Sequence, residues 1–308
     1  PDMLPKEYCQ ELSKLRADVK PLPFSEIKGV IEEEYKLPIQ EVFAHIEKEP
    51  LGSASIAQVH KASLPDGRQV VLKVQRPGIQ QVMANDILLL RKAAGLLKLL
   101  SGGDQPVDLD MVLTEMWAVA QEEMNFLKEA GNLLEFEDLN HEIAYIAAPK
   151  LEKKLSTGKI LVMEYIEGIP IDQIQTLEAM GYDMTEIGEK LADNYCKQIF
   201  DDAFFHADPH PGNIWIRDGK IVWLDFGMMG RLTARDKSLF RQAIAALANR
   251  DVYELKNVIL TLGVVKGKVN HTRLYTDLDD FVTRYGDLDL GSLNMGQLLE
   301  ELMDLAKT

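Results

Sequence analysis

Three polar residues in the second half of the sequence have the types and spacing of a phosphoryl-transfer site. Asp208 precedes Asn213 by five residues, and Asp225 opens an Asp-Phe-Gly tripeptide twelve residues after Asn213. Kinase-type chemistry needs an aspartate beside the incoming hydroxyl, together with an asparagine and a second aspartate on a shared divalent metal. The pattern predicts Asp208 as a catalytic residue, Asn213 and Asp225 as ligands of Mg²⁺, and ATP or ADP as the phosphate-bearing ligand.

A short hairpin explains how Asn213 and Asp225 would meet. Residues 214–217 and 220–224 have the composition of strands, and they flank Asp218-Gly219, a dipeptide typical of a two-residue β-turn. Such a turn returns the chain, so Asp225 comes to lie beside Asn213. An isolated Asp-Phe-Gly occurs by chance, whereas the spacing, the hairpin and the tripeptide together are specific.

Two histidines beside Asp208 are weaker candidates for metal binding. His206 and His210 are four residues apart, which would align them on one face of a helix. Pro209 and Pro211 disfavour a helix at this point. We therefore expect His206 to pack behind the Asp-Phe-Gly turn and do not predict zinc.

A lysine on an earlier strand would complete the phosphate site. Lys73 ends the apolar run Val-Val-Leu-Lys on the second strand of a hairpin, whose turn is Pro-Asp-Gly-Arg at residues 65–68. A kinase-type lysine contacts phosphates and is held by an acidic residue on a helix. The alternative is a lysine that discourages pairing at a sheet edge. The acidic residues available on the second long helix are Glu122, Glu123 and Glu129, and their spacing alone does not choose among them.

The strand before the middle of the chain predicts an adenine-binding edge. Residues 159–165 form an apolar run that ends near Gly168, where two lobes would join. The backbone of Glu164 and Ile166 would pair with adenine, and Met163 would line the same place.

The loop before the first hairpin carries alanine where ordinary protein kinases carry glycine. Ala54 and Ala57 replace the second and third glycines of the G-x-G-x-x-G-x-V pattern. A Cβ costs about 1–2 kcal/mol at any position that needs a left-handed conformation. We expect the loop to fold differently and to cover the last phosphate less closely. The predicted nucleotide-contacting residues of this loop are Leu51, Gly52, Ser53, Ala54, Ser55, Ile56, Ala57 and Val59.

With these motifs the chain resembles the UbiB/ADCK-like atypical kinase family over about residues 51–232. The specific marks are the alanine-rich loop, the segment Val-Leu-Lys-Val-Gln-Arg-Pro-Gly around Lys73, the segment from His206 to Asn213, and the Asp-Phe-Gly tripeptide. In the family a glutamate in an E-A-x-N context pairs with the strand lysine. The resemblance therefore implies that Glu129 of Glu-Ala-Gly-Asn is the partner of Lys73.

Two family features differ in this chain. The K-x-G-Q segment that folds over the family's active site is expected before residue 1. The E-x-D motif reads Glu123-Met124-Asn125, with an amide in place of a carboxylate. The resemblance implies ATP hydrolysis or phosphoryl transfer that supports isoprenoid-quinone or other lipid metabolism at a membrane, with lipid- or quinone-pathway enzymes as partners.

Composition excludes several other classes of protein. The formal net charge of −15 argues against nucleic-acid binding, and two cysteines are too few for a disulfide framework. No apolar run reaches the roughly 18 residues needed to span a bilayer. We expect a cytoplasmic protein with Cys196 on a buried helix face. Any attachment to the inner membrane would be made through segments outside this sequence.

Local patterns predict an α+β, protein-kinase-like bilobal fold. Expected helices include one from a Ser25 cap to Tyr35, one over 79–100, and one over 108–140 with a break near Gly131. We predict a helical extension at 1–50, a small β-rich N-lobe with inserted helices at 51–165, and a mainly helical C-lobe at 166–308.

Two other functions fit parts of the pattern. A small-molecule kinase of the aminoglycoside or choline kinase type shares the H-x-D-x-x-x-x-N arrangement, although the alanine-rich loop argues against it. A nucleotide-gated scaffold without turnover is the second alternative, and the complete set of catalytic residue types disfavours it.

Overall fold

The computed structural model describes residues 19–100, 109–262 and 270–285, and these form two compact units. The larger unit comprises the described part of residues 10–194 together with residues 206–229. The smaller unit comprises residues 195–205 and the described part of the chain from residue 230 onward. The lobe boundaries expected after residues 50 and 165 stay predictions.

A five-stranded antiparallel sheet carries Lys73. Its order is β1-β3-β4-β6, and β2 pairs with the opposite end of β3. In the register, Lys73 lies between Val59 and Leu161. The strands are β1 (His45–Ile46), β2 (Gly52–Ser53), β3 (Ala57–Ser63), β4 (Gln69–Gln75) and β6 (Ile160–Glu164).

One face of this sheet is covered by two helices, α1 (Phe24–Tyr35) and α2 (Ile39–Val42). Ile27 and Ile31 are completely buried against the strands, because positions four apart share one face of a helix. The expected Ser25 cap is wrong. The helix begins two residues earlier, at Phe24, and its cap is Pro23, whose fixed φ of −54° sets the entry without a side-chain cap.

Three longer helices follow β4 along the chain: α3 (Ile79–Leu100), α4 (Leu109–Glu123) and α5 (Phe126–Asn140). The predicted break near Gly131 is wrong, since Gly131 lies inside α5. The chain breaks instead at Met124 and Asn125, where the Asn125 side chain accepts a hydrogen bond from the Leu127 N–H at 3.2 Å. A capping side chain that satisfies a free amide decides the start of a helix more strongly than an interior glycine does.

A second sheet carries the predicted hairpin. Its order is β5 (Ile146–Ala147), β10 (Lys220–Trp223), β9 (Ile214–Arg217) and β7 (Ile169–Pro170). Asp218 and Gly219 have φ values of 51° and 73°, as a type I′ turn requires at both central residues. The hairpin prediction is confirmed.

The remaining elements are mostly helical, as expected. They are α6 (Ile174–Ala179), α7 (Met184–Lys197), a π-helical turn (Gln198–Asp202), β8 (Phe204–His206), a 3₁₀ turn (Pro211–Asn213), β11 (Met229–Arg231), α8 (Ala234–Ala248), α9 (Val252–Leu262) and α10 (His271–Tyr285). In the smaller unit, Leu278 and Phe281 of α10 are buried with residues of α8 and α9.

The expectation that Cys196 is buried is wrong, because its side chain is exposed. The buried positions of α7 include Ile187 and Asn194. Cys196 follows Asn194 by two residues, which places it roughly 200° round the helix from that buried side.

Candidate active site

Lys73 is the centre of a cluster of charges in the larger unit. Its Nζ lies 3.0 and 2.9 Å from the two carboxylate oxygens of Glu129 and 3.2 Å from Oδ1 of Asp225. Glu129 is only 5% exposed and Lys73 is 17% exposed, whereas Asp225 is about half exposed at 49%. Of the three glutamates open to Lys73, the structure selects Glu129. Glu122 instead forms an ion pair with Lys128.

The two elements that carry this ion pair are joined by a neighbour of Lys73. Gln75 lies two residues further along β4, and its Nε2 donates a hydrogen bond of 2.7 Å to the main-chain oxygen of Met124. Met124 immediately precedes the Asn125 cap of α5. The start of α5, and Glu129 in its first turn, are therefore fixed relative to the strand that carries Lys73.

The electrostatics of the pair favour a permanently charged lysine. Burial alone lowers the pKa of Lys73, but the nearby charges of Glu129 and Asp225 outweigh it and raise that pKa above its usual value. Burial raises the pKa of Glu129 to about 7, against the opposing charge of Lys73. Burial also raises the pKa of Asp225. The charge of Lys73 and the hydrogen bond from the Gly227 N–H lower it by a larger amount, so the pKa of Asp225 is below its usual value. Asp225 is therefore the more acidic of the two carboxyls.

Asp208 and Asn213 lie beside this cluster on the turn before β9. The Asn213 Nδ2 donates to the Asp208 main-chain oxygen at 3.1 Å and to its Oδ2 at 3.4 Å. The Leu224 N–H donates to the Asn213 main-chain oxygen at 2.8 Å, which ties the end of the hairpin to its beginning. Among the described residues, nothing donates a hydrogen bond to Oδ1 of Asn213, so that oxygen is available to a cation.

The Asp-Phe-Gly turn is held in an unusual conformation by α5. Asp225 has a φ of 53°, in the left-handed region that non-glycine residues rarely adopt. Phe226 is fully buried and lies 5.0 Å from the ring of Phe136, and its main-chain oxygen accepts a hydrogen bond of 2.9 Å from Asn132. Asn132 is three residues after Glu129, so one face of α5 holds both Lys73 and the turn.

His206 packs behind the turn, as expected. Its ring lies 5.9 Å from the ring of Phe226 and 5.0 Å from Trp223. The Asp208 N–H donates to Nδ1 of His206, which leaves Nε2 protonated and donating to the Leu224 oxygen at 3.0 Å. The histidine therefore joins Asp208 to the hairpin as a structural support.

The alanine-rich loop folds without the strain that left-handed alanines would carry. None of its residues has a positive φ, so the expected cost at Ala54 and Ala57 does not arise. The Ala54 N–H donates to the Ala57 oxygen at 2.8 Å and closes a tight turn. Arg76 binds the outer side of the loop through Ser53 Oγ and the Ala54 oxygen.

A cavity of about 210 Å³ brings most of the predicted site together. The predicted residues that line it are Ala54, Ser55, Ile56, Ala57, Lys73, Glu129, Asp208, Asn213 and Asp225. The predicted residues outside its lining are Leu51, Gly52, Ser53, Val59, Met163, Glu164 and Ile166. Its polar end is thus the phosphate and metal end of the expected site.

Glu123, which the sequence offers as a partner for Lys73 and as the first residue of the E-x-D motif, also lines the cavity. Its pKa is raised by burial and by the charge of Asp225, and Lys73 opposes this rise. Four carboxyl groups and one ammonium therefore surround the cavity, which favours a cation inside it. Four residues of the site belong to sequence motifs described above, but no local pattern shows which groups they contact. They are Glu123, Asn132, Gln75 and Arg76.

The backbone at the end of β6 offers one hydrogen-bond acceptor and one donor. The Glu164 N–H is taken by the Lys150 oxygen at 2.8 Å, and its carboxylate binds Arg217 at 2.7 Å. Within the described ranges, the Glu164 carbonyl accepts no hydrogen bond and the Ile166 N–H donates none, although Ile166 is 5% exposed. An acceptor and a donor two residues apart match the amino group and ring nitrogen of adenine.

Among the described residues no group of three or more His, Cys, Asp or Glu side chains could hold a metal ion by itself. Mg²⁺ is usually held by one or two protein ligands together with phosphate oxygens and water. Asn213 and Asp225 fit that shared arrangement, and the carboxylate-rich cavity fits a divalent cation.

A Lys–Glu pair between a strand and a helix, an Asp and Asn on one turn, and an Asp-Phe-Gly turn facing them define a protein-kinase-like α+β fold and site. A family model for the ABC1 atypical kinase-like domain matches residues 14–259. The chain belongs to this family, in agreement with the UbiB/ADCK-like resemblance.

Two curated relatives illustrate the match. An uncharacterised protein from the 5′ region of hydrogenase 1 in Clostridium pasteurianum is 39% identical over 100% of this chain, which spans 58% of that protein. A probable protein kinase UbiB from Marinobacter nauticus is 32% identical over 99% of this chain, which spans 57% of it. The chain thus covers somewhat more than half of either relative.

A solved structure shares the fold. A Mycobacterium tuberculosis protein in complex with erythromycin superposes with a TM-score of 0.67 and 22% identity, covering 99% of this chain and 84% of that one. In the part of the chain that the structure describes, no helix is long and apolar enough to cross a membrane.

Proposed function

We propose that this protein is an ATP- and Mg²⁺-dependent atypical kinase or ATPase. The observation that carries the proposal is the convergence of Lys73, Glu129, Asp208, Asn213 and Asp225 around one cavity. Family membership supports it, and so do the Glu164 carbonyl and the Ile166 N–H, which have no hydrogen-bond partner in the part of the chain that the structure describes.

Each residue has a role that its surroundings support. Lys73, held by Glu129, would bind the phosphates, and the pKa shift of Lys73 keeps it charged. Asn213 and Asp225 would hold Mg²⁺, which when bound neutralises charge on the phosphate oxygens. Asp208, whose Oδ2 is only weakly engaged at 3.4 Å, would orient or deprotonate the acceptor, either a hydroxyl or water.

For the pathway, we propose a role in isoprenoid-quinone or lipid metabolism at a membrane, with lipid- or quinone-pathway enzymes as partners. The relative from Marinobacter nauticus that is named a probable protein kinase UbiB supports this assignment. The alanine-rich loop favours an acceptor other than an ordinary protein side chain, because the loop differs from the glycine-rich loop of protein kinases.

The test is phosphate release from ATP with Mg²⁺, with and without vesicles that contain a quinone analogue. Parent protein is compared with Asp208→Asn and Asp225→Asn, and with Asp218→Asn on the exposed hairpin turn as a matched control. We expect both site variants to lose at least about 100-fold in turnover, as removal of a general base or metal ligand does, and the control to match the parent.

Full turnover in both site variants would contradict the catalytic assignment. Binding of nucleotide without turnover by the parent, in the presence and absence of vesicles, would favour the non-catalytic scaffold instead.

A further inference from the structure

Arg76 is held against the alanine-rich loop by three hydrogen bonds. Its Nε donates to the Ala54 oxygen at 2.8 Å, and its Nη2 donates to Ser53 Oγ at 2.6 Å. Its main-chain N–H also donates to the Ile56 oxygen at 2.8 Å. One residue therefore holds the loop at Ser53, Ala54 and Ile56.

These contacts decide which way the loop's peptide groups face. The Ala54 oxygen points to Arg76, so the N–H of the same peptide group, which belongs to Ser55, points away from Arg76. The Ala54 N–H is taken by the Ala57 oxygen. Among the described residues no acceptor is bonded to the N–H groups of Ser55 and Ile56, and both residues line the cavity that contains Lys73. Successive free amides that face a cavity can bind an anion.

The same guanidinium also contacts the chain before α1. Its Nη2 donates to the Lys20 oxygen at 3.1 Å. Leu22, two residues after Lys20, is bound by the side chain of Gln58. That side chain accepts a hydrogen bond from the Leu22 N–H at 2.9 Å and donates one to the Leu22 oxygen at 3.3 Å. Residues 20–22 thus lie along the outside of the loop and hold Arg76 from its other side.

We propose that Arg76 is a positioning residue that presents the amides of Ser55 and Ile56 to the phosphates of a bound nucleoside di- or triphosphate. This inference rests on the proposed function. The planar guanidinium reaches the Ala54 oxygen, Ser53 Oγ and the Lys20 oxygen at once, which a lysine cannot do. These hydrogen bonds, together called the Arg76 clamp, give the loop a preformed shape. A glycine-rich loop instead depends on the conformational freedom of its backbone.

Binding of fluorescent ATP and ADP analogues with Mg²⁺ tests the proposal in the full chain. We expect Arg76→Met and Arg76→Lys to weaken both affinities about tenfold, corresponding to about 1.4 kcal/mol. The Michaelis constant should rise while kcat stays within about twofold, because the catalytic groups are untouched. Arg68→Met, which removes an exposed arginine bound to Asp66 and Glu152 at the hairpin turn, is the matched control and should match the parent.

A second measurement separates this inference from the proposed function. Exchange of the Ala54 amide hydrogen in nucleotide-free protein should be about tenfold faster in Arg76→Met than in the parent, since the loop opens more often. A parent that binds neither nucleotide would overturn the proposed function and the presentation of phosphates, while faster Ala54 exchange would still support the clamp. Unchanged affinities, or unchanged Ala54 exchange, in both Arg76 variants would overturn the inference.

Discussion

Replacement of Glu129 by glutamine should separate the effects of pH on folding from those on nucleotide binding. Burial raises the pKa of Glu129 from 4.5 to about 7 in the folded protein. Between these values the folded protein binds a proton that the unfolded chain has released. The stability contributed by this group is therefore fully present below pH 4.5 and is lost as the pH rises through about 7.

The magnitude follows from the size of the shift. Each pKa unit corresponds to about 1.36 kcal/mol, so the loss amounts to roughly 3 kcal/mol across this window. Nucleotide binding should show the opposite dependence, because only the ionised carboxylate holds Lys73 at 2.9–3.0 Å. Below about pH 7, protonation of Glu129 leaves Asp225 as the charged partner of Lys73 and weakens the orientation of the ammonium group.

Urea unfolding and nucleotide titration at pH values from 4.5 to 8 measure the two effects. The free energy of unfolding of the parent, relative to Glu129→Gln, should fall with rising pH, while its relative nucleotide affinity should rise. Glu122→Gln changes a glutamate paired with Lys128 and serves as the control. A stability difference between parent and Glu129→Gln that is constant over this range would refute the reasoning.

Three further predictions test separate parts of the site. Asn132→Leu should destabilise the fold by about 1–3 kcal/mol, measured by urea unfolding, because the buried Phe226 oxygen loses its donor; an unchanged midpoint would contradict that role. Ala54→Gly should shift the ratio of ADP to ATP affinity in titration calorimetry, since the main chain could then approach the last phosphate more closely. The same ratio in the parent and in Ala54→Gly would count against a role of this loop in covering the last phosphate. Cys196 should react with a thiol reagent in the native protein, and protection until unfolding would contradict its exposure.

The sequence predicts those parts of the site whose residues are close together along the chain. Asp208 and Asn213 share one turn, and Asp218-Gly219 determines the hairpin that returns Asp225, because two positive φ values are favourable for few other dipeptides. The strand position of Lys73 follows from its apolar neighbours. These are local preferences, and the structure confirms the elements they predict.

Contacts between distant parts of the chain could not be predicted in this way. Arg76 reaches Ser53 and Lys20 across 23 and 56 residues, and Asn132 reaches Phe226 across 94. Such contacts depend on the packing of whole elements, which no local pattern encodes. The choice of Glu129 over Glu122 and Glu123 came from family resemblance, since all three lie near the same helix break.

Wrong predictions occurred where two local signals competed. Ser25 is a good capping residue, but Pro23 starts α1 first. Gly131 suggested a break, yet the capping side chain of Asn125 determines where α5 begins. Cys196 was expected on a buried helix face, but it lies about 200° round α7 from the buried Asn194, which leaves its side chain exposed.

The most direct test is a crystal structure with Mg²⁺ and a non-hydrolysable ATP analogue. We predict adenine density between the Glu164 carbonyl and the Ile166 N–H, phosphates at Lys73, and the metal on Asn213 and Asp225. An empty cavity at Lys73, with the analogue ordered elsewhere on the protein, would contradict the proposed function.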